Sequence, residues 1–155
     1  MPMAAEFHPV EPLAVLPARQ WCALCGHPGV VARHPDSRCS RCGSPLAAAL
    51  VPGEAEGSGR RAAVRRDRRH AALVQVGWPA PLEPIRWHDL SLSGLSFVGN
   101  APIAPGTAVR VFDEALEAVA EVVACERDGN LHLVRARVLT VLFLRSRGVF
   151  VSASA

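Results

Sequence analysis

The sequence predicts an all-β chain with a small cysteine-rich unit in front of a strand-rich body. Three observations predict it. From residue 71 onward, apolar residues recur at every second position in short runs, the period of a strand with one buried face. Glycine and proline punctuate those runs at short intervals, as in a sandwich or a barrel. Four of the five cysteines fall within residues 21–46, as two C-x-x-C pairs.

Taken in order, residues 1–20 hold four prolines and no period, so an extended lead-in is expected. Residues 21–51 form the cysteine unit. Residues 52–60, Pro-Gly-Glu-Ala-Glu-Gly-Ser-Gly-Arg, read as a linker; as a flexible coil it would span roughly 15–18 Å. Residues 61–155 make the body. There Val74, Val76 and Trp78 alternate with Leu73, Gln75 and Gly77, and Pro79, Pro81 and Pro84 break the run. Ile85 and Trp87 alternate with Arg86 and His88, Leu95 and Phe97 follow Gly94, and Val109 and Val111 open a further strand. Residues 131–144 form a long strand with mostly apolar even positions, and residues 148–151 a last short one. Residues 113–124 fit a helix by propensity, or a strand built on Val119, Val122 and Val123. The expected core is Val74, Val76, Leu95, Phe97, Val109, Val111, Val138 and Leu142, with Trp78, Trp87 and Cys125 also read as core residues.

Composition narrows the function. Of 155 residues, 50% are hydrophobic and 20% charged, enough apolar surface to bury a core. All 17 basic residues are arginine, yet the net charge is only +3, too little for bulk attraction to nucleic acid. Near the C-terminus the longest uncharged run is residues 138–144, far short of the roughly 20 needed to span a membrane. No signal peptide or anchor is read, so a cytoplasmic location without membrane insertion is expected. Thiols stay reduced there, and paired cysteines point to metal.

Cys22-Ala-Leu-Cys25 and Cys39-Ser-Arg-Cys42 are separated by thirteen residues, and each pair is followed by glycine, Gly26 and Gly43. A C-x-x-C turn brings two thiolates to one point, and the glycine lets the backbone fold around a metal. Two such turns supply four soft ligands for one tetrahedral zinc. The segment resembles a zinc ribbon, which implies a closed structural site. His27 and His34 lie inside it but are not needed as ligands. Trp21 is placed to cover the site.

Six arginines crowd residues 60–69, including Arg65-Arg66-Asp67-Arg68-Arg69. Twenty residues later comes Asp89-Leu-Ser91-Leu-Ser93-Gly94, between two predicted strands. Asp and Ser bond nearby backbone amides, and glycine permits a tight reversal. A guanidinium forks onto phosphate oxygens or the O6/N7 edge of guanine, and a carboxylate accepts from the N1–H and N2 edge. Together these groups describe a site for guanine and phosphate. The R-x-x-x-R spacing fits Arg65/Arg69 and also Arg61/Arg65; a strand start one residue later would give Arg66/His70.

In these motifs, their order and a closing Gly148-Val149-Phe150, residues 60–155 resemble the PilZ family of cyclic di-GMP receptors. The resemblance implies a six-stranded antiparallel β-barrel, with the arginine segment closing over the dinucleotide. It implies that Arg65, Arg66 and Arg69 hold phosphates and guanine edges, that Asp89 and Ser91 hold a guanine, and that Gly94 shapes the turn. The leading expectation is a cyclic di-GMP-binding signalling module with structural zinc, passing its signal to a protein partner. The alternatives are a PilZ-like adaptor that has lost the nucleotide, and, ranked lower, a zinc-ribbon nucleic-acid binder using Arg33, Arg38 and Arg41. With no catalytic dyad, open metal site or phosphate-cradling glycine loop in the sequence, an enzyme is the reading least supported.

Overall fold

In the computed structural model, residues 21–49, 70–91 and 93–144 are described. The expected lead-in, linker, arginine run and last short strand lie outside them. Six strands follow in chain order: β1 (Ala71–Val76), β2 (Leu82–Leu90), β3 (Gly94–Gly99), β4 (Ala108–Phe112), β5 (Leu116–Asp128) and β6 (Leu131–Phe143). They close into one antiparallel barrel in the order β1-β2-β3-β6-β5-β4. The described residues contain no helix, and none long and apolar enough to cross a membrane.

Of residues 113–124, open between helix and strand, 116–124 enter the strand β5. Each Val in β5 favours the pleated backbone, and β5 gains partners on both sides, Val119 facing Arg110 of β4 and Thr140 of β6. Asp113 sets the turn into it. One carboxylate oxygen accepts from the N–H groups of Ala115 (2.7 Å) and Leu116 (3.1 Å). The other accepts from the Trp87 indole N–H at 3.0 Å, the partner a buried tryptophan requires.

Alternation holds for most of the core. Val74, Leu95, Phe97, Val109, Val111 and Val138 all lie in the main cluster with Trp87, and Val76 and Cys125 pack against it partly buried. It fails for Leu142. The β5–β6 pairing slips between Val119↔Thr140 and Ala120↔Val138, which inserts Leu139 as an extra residue. Beyond that bulge the parity reverses. Val141 then packs on the core, and Leu142 lies outside that cluster. Pro84, expected to break the segment, sits inside β2 opposite Leu73. It is exposed, and β2 pairs with β3 only from Arg86 onward, so the missing N–H falls on a locally unpaired edge.

The cysteine unit packs on the barrel's outer wall. Ala47 and Ala49 extend the sheet along β6 where β3 has ended: Val141 N–H donates to the Ala47 carbonyl and Ala49 N–H to that of Leu139, each at 3.0 Å. The unit also covers β5. Leu116, Ala118 and Ala120 face the core. Glu117 and Val119 are outward neighbours, yet they are 5% and 0% exposed.

Phe97 is 1% exposed in the centre of this core. Phe97→Ala is expected to lower unfolding free energy by about 3–5 kcal/mol in urea titrations. Val98→Ala, on the half-buried neighbouring position, should fall below about 1 kcal/mol; equal losses would show that the inward face is misassigned.

Candidate functional site

The two cysteine turns have the same construction. Cys22 N–H donates to the His27 carbonyl (2.9 Å) and Gly26 N–H to the Cys22 carbonyl (3.0 Å). In the second turn Cys39 N–H donates to the Ser44 carbonyl (2.8 Å) and Gly43 N–H to the Cys39 carbonyl (2.9 Å). Gly26 and Gly43 take φ of 74° and 78°, the left-handed region that favours glycine. Backbone bridges Trp21↔Pro28 and Arg38↔Pro45 flank the turns in matching places. The repeat is therefore C-x-x-C-G-x-P, and its two prolines were a legible signal beyond the cysteines and glycines.

The sulfurs of Cys22, Cys25, Cys39 and Cys42 all lie within 4.8 Å of one another. Cys22 Sγ is 3.5 Å from Cys42 Sγ, and Cys25 Sγ is 3.6 Å from Cys39 Sγ. Four sulfurs about 2.3 Å from one zinc form a tetrahedron with edges of about 3.8 Å. The donor set, its chemistry and its spacing fit zinc, and no histidine joins the group. Burial pushes the Cys22 thiol up to about 12 and raises that of Cys25. Burial acts on Cys39 in the same direction. There the backbone N–H groups of Cys42 and Arg41 and the neighbouring thiols outweigh it, bringing Cys39 down to about 7. Metal binding must displace the remaining thiol protons.

Trp21 does not cover the site as expected; it is 55% exposed. The cover comes from Leu24 and, across from the barrel, Val119, Trp78 and Ala108. Trp78 is accordingly a seam residue instead of a barrel-core residue, and the Arg41 guanidinium stands over its ring at 5.0 Å. Sequence reasoning missed a further layer. Glu117 accepts from Arg38 Nη1 at 2.8 Å and from Arg110 Nε at 3.0 Å. Arg38 also donates to the Gly43 carbonyl (2.9 Å) and Arg110 to the Cys42 carbonyl (3.3 Å). No local spacing announces contacts between residues so far apart in the chain.

Of the residues expected to bind nucleotide, Arg65, Arg66 and Arg69 lie outside the described residues, as does Arg61. Asp89, Ser91 and Gly94 lie together at the β2–β3 turn. The β2–β3 register shifts between Trp87 and Asp89, making His88 the extra residue of a bulge. Trp87 and Leu90 are buried while His88 and Asp89 stay half-buried. Asp89 Oδ1 accepts from the Leu90 N–H at 3.1 Å. Ser91 closes the turn: its N–H and hydroxyl both donate to the Gly94 carbonyl, and its hydroxyl accepts from the Gly94 N–H at 3.0 Å. Gly94 has no positive φ, and a Cβ there would meet the Ala136 carbonyl oxygen at an ordinary 3.6 Å. The turn itself does not demand glycine.

Strand register adds three neighbours. Asp89 faces Ser96 of β3, and Ser96 faces Arg135 of β6. The His88 ring lies 3.2 Å from the Ser96 hydroxyl. Comparison with protein-family models, curated proteins and solved structures gives no match.

Freshly purified protein is expected to contain one zinc per chain by elemental analysis. Cys22→Ser and Cys39→Ser should each surrender the metal to a modest excess of chelator, since three ligands leave the sphere open. Wild-type zinc far below one per chain would remove the site.

Proposed function

We propose that the chain is a cyclic di-GMP-responsive binding module, not an enzyme, whose Cys₄ unit carries zinc as a structural staple. The observation that carries the reading is where Asp89 and Ser91 sit relative to the entry into β1. The His70 carbonyl accepts from the Trp87 N–H at 3.1 Å, two residues before Asp89. Arg69 directly precedes His70 in the sequence, so the arginine run ends one residue before the position bonded to the strand that carries the carboxylate.

The chemistry is complementary at that edge. Asp89 offers a carboxylate to a guanine N1–H and N2 edge, and the arginines offer forked donors to phosphate. Arg135 adds a guanidinium two strands away in the same cross-strand row. The Ser91 hydroxyl is already engaged with Gly94, which makes its role here that of holding the turn beside Asp89. A closed Cys₄ site leaves zinc no open position for substrate, so its contribution is to fold the segment that holds it.

Calorimetric titration with cyclic di-GMP, GTP and GMP tests this. Saturable binding of cyclic di-GMP in preference to the mononucleotides is expected. Arg69→Ala should weaken it about 10- to 150-fold, the loss of a charged hydrogen bond. Asp89→Ala should reduce discrimination in favour of guanine. Normal binding by Arg69→Ala with loss in Arg61→Ala would move the arginine pair to Arg61/Arg65. No saturable binding at tens of micromolar would overturn the receptor reading in favour of an adaptor that works through protein contacts.

A further inference from the structure

We propose that the outer wall of the barrel is a working part of the metal centre: Glu117 and Val119, which ligate nothing, set how tightly the four cysteines hold zinc. The inference rests on the zinc reading and is independent of the nucleotide.

The argument begins with burial. Glu117 projects from the outside of β5 and yet its side chain is 6% exposed. An ionised carboxylate is held out of water only where charge and hydrogen bonds replace the solvent. Here two guanidinium groups do so, Arg110 from β4 at 2.9 Å and Arg38 from the cysteine unit at 2.8 Å. Arg38 directly precedes Cys39, and its Nη1 also holds the Gly43 carbonyl. Arg110 holds the Cys42 carbonyl. The barrel thus grips the second cysteine turn at its beginning, through Glu117 on Arg38, and at its last ligand, through Arg110, while Arg38 in turn ties the glycine.

Val119 supplies the apolar half. It is the fully buried barrel residue in the cluster of Cys22, Leu24 and Cys39, with Trp78 and Ala108 partly buried beside it, so it belongs to the apolar seam shared with both turns. A unit of this size cannot bury enough surface to fold by itself. Its folded form is held by metal from within and by the barrel from without. Each of these favours the same conformation, so by linkage each strengthens the other. Zinc that stabilises docking must be bound more weakly when docking is impaired, and chelation must remove support from the barrel.

The experiment uses the full chain. Zinc affinity is measured by competition with a chromophoric chelator for the wild type, Glu117→Gln, Val119→Ala and the control Glu121→Gln. Glu121 also lies on β5, and its carboxylate pairs with Arg137 at 3.2 Å instead of with an arginine that holds a cysteine turn. Glu117→Gln and Val119→Ala are each expected to weaken zinc about tenfold, about 1.4 kcal/mol, with the control unchanged. Chelator should also lower the thermal midpoint of the wild type more than that of Glu117→Gln. Wild-type zinc affinity in a folded Glu117→Gln or Val119→Ala would overturn the proposal while leaving the metal site intact. Should Glu117→Gln fail to fold, the milder Val119→Ala decides. Absence of zinc from the wild type would instead strike the metal reading beneath it.

Discussion

Glu117 is a carboxylate kept from water between two guanidinium groups that reach it from different parts of the chain. Such a carboxylate is tolerated only while both partners stay in place. One partner, Arg110, comes with the barrel; the other, Arg38, arrives only when the cysteine unit is docked. The docking in turn depends on turns folded tightly enough to present Arg38 and the Cys42 and Gly43 carbonyls together. The burial of both faces of β5, the cover over the sulfurs and the position of Trp78 follow from that one arrangement.

What the sequence made legible was what local periodicity and spacing encode. The alternation around Val74, Phe97 and Val111 marked strands and their inner faces, because the pleat repeats every two residues. The cysteine spacing and the glycines after it marked the metal turns, because chemistry and backbone conformation there are local. What it concealed was non-local. Leu139 and His88 are single extra residues that appear only once a strand is aligned with its neighbour. After Leu139 the inner face changes parity, which is why Leu142, though buried, lies outside the main barrel cluster. Glu117 lies in a stretch that local pattern leaves open between helix and strand, and nothing adjacent to it foretells Arg38.

The nucleotide motif shows the same division. Asp89 and Ser91 were legible as turn formers, and the structure has Ser91 doing that work through three hydrogen bonds with Gly94. The row running from Asp89 through Ser96 to Arg135 was not, since it exists only in the register of β2, β3 and β6. Gly94, read as permitting the reversal, occupies a conformation open to other residues. Any particular demand for glycine there would have to come from something lying against it.

The pairing of residues 47–49 with β6 has a consequence for synthesis. Arg38 and Glu117 are 79 residues apart, and the stretch of β6 that Ala47 and Ala49 join emerges later still. Contacts between such distant segments form slowly, because a long loop must close before they contribute. On the ribosome the cysteine turns are complete long before the wall they rest on exists. The nascent chain therefore passes through an interval in which the four cysteines lack the cover that Val119, Trp78 and Ala108 later supply.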